Sequence, residues 1–276
     1  MRRSFARPVR ASFHGAGRVF SAAIAVCLAL VAGASEVEAG LITWGTARTI
    51  SGDGDVVTTG SVLYAYNFGE DAVAATTVNG VTFAPFAIPS TNPPPKTVTV
   101  GNVTLTESPD DLYAYGSFGS GSTPYSTLSA SYQKLLDQAA YAAGPETITV
   151  TLGGLQVGEQ YLVQWWASDS YPLWGALVTA SSANSVTLDS NTTDLAGGFG
   201  QYAIGTFTAA STSEAFTLVG SAGSGSFWAP MINGLQVRAV PTPIPEIDPA
   251  GFGSVAALIT GTLGLIERRR LKPKAA

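Results

Sequence analysis

The sequence predicts an all-β domain, an antiparallel jelly-roll-like β-sandwich with one short helix, between targeting segments at both ends. Three observations predict it. Period-2 alternation recurs through residues 40–240, Gly, Ser and Asn turns separate the alternating pieces, and a single stretch carries a helical stripe. The chain has 276 residues, with 31 glycines, 16 prolines and only 12% charged residues, which argues against a coiled coil or a cytosolic helical enzyme.

Along the chain, residues 62–68 alternate as a strand, and 77–83 place an Asn79-Gly80 turn signal at another strand edge. Residues 97–100 and 103–106 are hairpin arms around Gly101-Asn102. Further strands are predicted at 147–152, 160–167, 185–189, 202–208, 214–219 and 232–240. Apolar residues at 128, 132, 135, 136, 139 and 140 form the helical stripe, with Ser126 as N-cap and Gly144-Pro145 as stop. No linker long enough to divide residues 40–240 interrupts this pattern, so one domain is expected.

Both ends read as addresses. Arg2, Arg3, Arg7, Arg10 and Arg18 precede an apolar run at 20–31 that is too short for a stable anchor, the pattern of a secretory signal peptide. Two cleavage signatures compete, Ala32-Gly33-Ala34 and Val37-Glu38-Ala39. Strand-like sequence from Leu41 favours cutting between Ala39 and Gly40. The signal peptide is then 1–39 and the sandwich 40–240, followed by a proline-rich linker at 241–249. An uncharged stretch at 250–266 is long enough for one transmembrane helix, and the basic tail 267–276 sets its cytoplasmic end. His14 and Cys27 lie inside the leader, so the mature chain holds no histidine and no cysteine. That excludes Ser-His-Asp and Cys-His nucleophiles, Cys/His zinc sites, histidine-ligated haem and disulfides.

Pro245-Glu246, the apolar glycine-rich stretch and the cluster Arg268, Arg269, Arg270 together resemble the PEP-CTERM sorting signal, in its Pro-Glu-Ile-Asp-Pro-Ala-Gly variant. The motif position usually held by proline is Ile247 here. The resemblance covers about 32 residues and implies export by signal peptidase, then recognition by exosortase, a membrane protease that removes such tails near Pro-Glu. It implies an inner-membrane-anchored precursor with a cytoplasmic C-terminus, destined for the cell surface or extracellular matrix of a polysaccharide-making bacterium with an outer membrane. A related tail carries the label of an ice-binding-protein C-terminal domain, which describes the sorting tail and no ice-binding activity.

A second resemblance lies at residues 148–169, where a strand, a Gly-Leu turn and a Tyr-x-Val-x-x-aromatic strand are similar to the central hairpin of galactose-binding-like and carbohydrate-binding-module sandwiches. Residues 232–238 are similar to their closing strand. Alternation sends Tyr161, Val163 and Trp165 to one face and Leu162, Gln164 and Trp166 to the other. Trp166 is therefore the expected outward tryptophan, with Asp169, Tyr171 and Trp174 in the following loop and Trp228 beside the Gly-Ser run at 220–226. Indole faces stack on sugar C–H groups while carboxylates fix hydroxyls, so extracellular polysaccharide is the expected partner. The competing reading makes these aromatics core plugs in a purely structural matrix protein.

Calcium is the one cofactor that the residues suggest. Asp53 with Asp55, Asp110 with Asp111, and Asp189, Asn191 and Asp194 offer oxygen ligands in turns, although Asx-turns explain each alone. Between residues 40 and 245 stand four basic and fourteen acidic residues, a balance of −10 hidden within a whole-chain charge of −5. Nucleic acid is excluded as a main partner. A carboxylate-pair glycosidase needs no histidine, yet no motif nominates a pair, so no enzymatic activity is expected.

Overall fold

The computed structural model describes residues 40–109, 111–144, 146–223 and 228–241. The leader, Asp110, Pro145 and the tail with Pro245, Glu246 and the arginines lie outside the described residues, as does the expected span at 250–266. Among the described residues no helix is long and apolar enough to cross a membrane.

The first strands are β1 (Thr43–Trp44), β2 (Arg48–Thr49), β3 (Ser61–Gly69), β4 (Thr76–Val78), β5 (Val81–Ala87), β6 (Thr97–Val100), β7 (Val103–Ser108) and β8 (Leu112–Tyr115). Helix α1 (Ala130–Leu136) precedes β9 (Ala139–Ala142), β10 (Thr147–Gly153), β11 (Gln160–Ala167), β12 (Ala176–Ser181) and β13 (Ser185–Asp189). The chain closes with β14 (Gln201–Thr208), β15 (Ser213–Ala222), β16 (Met231–Ile232) and β17 (Gly234–Val240).

An eight-stranded sheet runs β1-β14-β11-β17-β3-β5-β4, with β2 also on β14. A six-stranded sheet runs β13-β12-β15-β10-β7-β6, and a small sheet joins β16, β9 and β8. The two larger sheets form a sandwich. On β10, Ile148, Val150 and Leu152 are buried between half-buried threonines, the two-residue period that a one-sided core demands. Across the layers, Trp44 meets Phe216 edge-on at 5.1 Å, and within its own sheet it meets Trp165 edge-on at 6.4 Å. One pairing departs from the antiparallel expectation: β3 and β5 run parallel, from Tyr66 opposite Ala84 to Gly69 opposite Ala87. The chain reverses into β4 and again at Asn79-Gly80 before β5 reaches β3.

Part of the outer face of the eight-stranded sheet is also buried. Residues Ala65, Phe83, Trp166 and Tyr202 pack there against Tyr125, Tyr132, Leu135 and Leu136 in a second core. The expected helix is therefore real and shorter than its stripe. Ser129, not Ser126, is the N-cap, its hydroxyl accepting from Tyr132 N at 3.1 Å. Ala139 and Ala140 extend no helix but pair in β9 with β8 and β16, where the sheet supplies their backbone partners.

The strand expected at 232–240 is likewise two strands in two sheets, parted at Asn233. The Asn233 carboxamide donates to the carbonyls of Leu136, Gln138 and Ser168 and accepts from Ser168 N at 2.7 Å. A polar ladder shares the outer face of the sheet. Gln164 accepts from Gln236 at 2.7 Å, Gln236 accepts from Arg238, and Arg238 donates to the carbonyls of Thr58, Thr59 and Gly60. This ladder straps residues 55–60 to the sheet, and burial lowers the Arg238 pKa.

Candidate ligand pocket

The loop leaving β11 is pinned from several directions. Ser168, Asp169 and Ser170 are buried directly after the strand. Ser168 is held by Asn233, Asp169 N donates to Ser190 O, and Ser170 donates from both N and Oγ to Phe118 O. Tyr171 O accepts from the Asn191 side chain at 3.0 Å. Beyond these anchors the loop turns outward. Leu173 takes a left-handed φ of 66°, a strained conformation for a bulky residue that costs about 1–2 kcal/mol. Trp174 follows and is half exposed at 51%.

Opposite this loop stand Tyr115 at the end of β8, Phe118 just beyond it, and Tyr141 on β9. With Ser117, Asp169, Tyr171 and Trp174 they line a cavity of about 410 Å³. Tyr115 meets Phe118 edge-on at 5.6 Å, and Tyr141 stacks on Tyr113 at 5.6 Å, so the aromatic wall is braced from behind. Among the described residues the one charged group in the lining is Asp169, only 4% exposed. Its Oδ1 accepts from Tyr171 N at 3.0 Å, and among the described residues no hydrogen bond reaches Oδ2. Burial pushes its carboxyl up to about 7, partly offset by the Tyr171 N–H.

The expected sugar-contacting residues separate here. Asp169, Tyr171 and Trp174 come together in one cavity. Trp166 does not join them. It faces away from the inter-sheet core, as alternation demands, but α1 covers it completely, and its indole N–H donates to Tyr132 Oη at 3.0 Å. The expectation of an outward Trp166 is corrected: a second hydrophobic layer occupies the face that would have met solvent. Trp228 is 51% exposed and lies apart from the cavity lining. Tyr115, Phe118 and Tyr141 were missed because pairing between β8 and β9 brings them together, a contact with no local signature.

The acidic turns use their oxygens internally. Asp55 accepts from Ser51 N, Ser51 Oγ and Gly52 N within 3.0 Å and from Tyr132 Oη at 3.3 Å. Asp53 accepts from Ser129 Oγ at 2.7 Å, so both residues latch the 53–55 turn onto α1. Asp189 accepts from Asn191 N, and Asn191 Oδ1 takes both donors of Thr193. Asp194 Oδ1 is buried without a hydrogen bond, against Gly175, where a Cβ would lie 2.4 Å away. Among the described residues no cluster of three acidic or other metal-type side chains converges. Asp137, also pushed up by burial, lines a separate depression of about 330 Å³ with Tyr125 and Lys134.

No protein-family model matches the chain, and no curated protein sequence matches it. Among solved structures it is similar to the enzymatically active domain of tailspike protein 4 from bacteriophage CBA120. The identity is 12% over 51% of this chain and 20% of that one, with a TM-score of 0.30. The ANX2 ectodomain from Arabidopsis thaliana overlaps 67% of this chain and 54% of its own at 11% identity and a TM-score of 0.30. A carbohydrate-binding module of the β-sandwich superfamily overlaps 52% of this chain and 69% of its own, at 11% identity and a TM-score of 0.17. The chain thus spans about a fifth of the tailspike domain and about half of the plant ectodomain, and at these scores none of the likenesses carries a function across.

Proposed function

We propose that this chain is an exported cell-envelope protein whose jelly-roll-like sandwich binds extracellular polysaccharide in the cavity beside β11. One observation carries the reading. Among the described residues, five aromatic side chains and a single buried carboxyl line a cavity of about 410 Å³, and one of the rings, Trp174, is half exposed. Such a surface suits a pyranose: rings offer dispersion to C–H faces, and a fixed acceptor orients a hydroxyl. The PEP-CTERM-like tail supports delivery by signal peptidase and exosortase, with one C-terminal helix holding the precursor in the membrane before surface release. A glycan array probed with the full chain and with Trp174→Ala tests the binding. Signals on polysaccharide fragments that fall in the variant support the pocket, and signals unchanged in the variant refute it.

A purely structural role is the second reading. Trp44, Trp165 and Trp166 are buried, so much of the aromatic content serves packing. A glycosidase reading would need two carboxyl groups roughly 5–10 Å apart in one groove. Among the described residues the cavity lining supplies Asp169 alone, and Asp137 lines a separate depression.

A further inference from the structure

We infer that the cavity selects sugars carrying a free amine, taking the protonated amino group against Asp169 between the rings of Tyr171, Trp174, Tyr115 and Tyr141. This deepens the polysaccharide reading and rests on it. Among the described residues the lining contains no lysine or arginine to neutralise Asp169, and none of them donates a hydrogen bond to Oδ2. A neutral sugar that closed the cavity would strip water from this carboxylate without replacing its counter-charge, an unfavourable exchange. An ammonium group supplies that charge together with short, charge-assisted hydrogen bonds. The surrounding rings favour the same ligand, because their faces carry the negative lobe of the quadrupole and attract cations. The −10 balance of residues 40–245 adds a longer-range attraction of the same sign. Burial holds Asp169 near 7, and a bound cation lowers the cost of ionising it.

Calorimetric titration of the full chain with chitosan and chitin oligosaccharides of equal length tests the preference, because the two differ in whether the amine is free or acetylated. Wild type is expected to bind the chitosan fragment at least about tenfold tighter, the size of one charge-assisted contact. Asp169→Asn keeps an acceptor for Tyr171 N and is expected to bring the two fragments to equal affinity. Equal affinities in wild type overturn the amine preference and leave the polysaccharide pocket standing. A preference that persists in Asp169→Asn also overturns it, because general attraction to an acidic surface would then be its source. Loss of every glycan signal on the array, with neither fragment bound, refutes the polysaccharide reading itself.

Discussion

The backbone N–H of Tyr171 donates to Oδ1 of Asp169 at 3.0 Å, and their loop supplies the cavity's carboxyl together with the Tyr171 and Trp174 rings. This contact ties the carboxyl's position to that of the neighbouring residue, and Asp169 and Tyr171 both line the cavity. Asn191 holds Tyr171 from the other side through its carbonyl. The pocket is thus organised before any ligand arrives, which spares binding part of its ordering cost.

Asn233 is the anchor behind that loop. Asn233→Ala removes three donated bonds and one accepted bond in a buried site, leaving several carbonyls without partners. The expected loss is roughly 2–4 kcal/mol, read as a lower urea midpoint, together with weaker ligand binding as Ser168 and Asp169 loosen. Unchanged stability would show that water replaces the staple.

Trp166 is fully buried in the second core. Trp166→Phe keeps the ring packing against Phe83 and Tyr202 but loses the N–H that reaches Tyr132. A cost of about 1–3 kcal/mol in denaturant unfolding is expected, with glycan affinity unaltered. A selective loss of binding would place this tryptophan in the site after all.

The raised carboxyl of Asp169 sets a pH signature. Its folded value of about 7 stands above the ~3.9 of an unfolded aspartate, so the folded state binds the proton more tightly. This contribution to stability is complete below about pH 4 and is lost as pH rises through about 7. Asp137 and Asp189 are raised by burial as well and act in the same direction. Comparison with Asp169→Asn isolates one group. The wild-type stability curve is expected to fall relative to the variant between about pH 4 and about pH 7, by at most about 1.4 kcal/mol per pH unit. Parallel curves would mean that Asp169 titrates normally.

Calcium should leave the fold untouched, because Asp55 and Asn191 spend their side-chain oxygens on donors of their own chain. Thermal unfolding in millimolar calcium and in chelator is expected to coincide. A calcium-dependent rise of several degrees would reveal linked binding.

Much of the architecture was legible because it is local. The hairpins at Asn79-Gly80 and Gly101-Asn102 announce themselves in two residues, and alternation correctly put Trp165 and Trp166 on opposite faces. The stripe through Tyr132, Leu135 and Leu136 was equally visible. What sequence could not show is that this stripe lies on Trp166, since residues 34 positions apart must meet to make the hydrogen bond between them. The same limit divides the pocket. Asp169, Tyr171 and Trp174 share one loop and could be nominated together. Tyr115 and Tyr141 belong to strands whose pairing is non-local, and Tyr141 lay hidden among alanines that read as a helix end. Asn233 sat inside what read as one unbroken strand, because a residue that hands the chain from one sheet to another keeps the same alternation.

The proposed ligand site is the cavity lined by Tyr171 and Trp174. Calorimetric titration of the oligosaccharide that ranks first on the array into wild type and into Tyr171→Ala/Trp174→Ala tests this assignment. Both rings are substantially exposed, at 37% and 51%, so the double variant should unfold within about 1 kcal/mol of wild type. Its affinity is expected to fall by at least about a hundredfold, the combined worth of two stacking rings. An affinity within twofold of wild type, in a protein of unchanged stability, would contradict it.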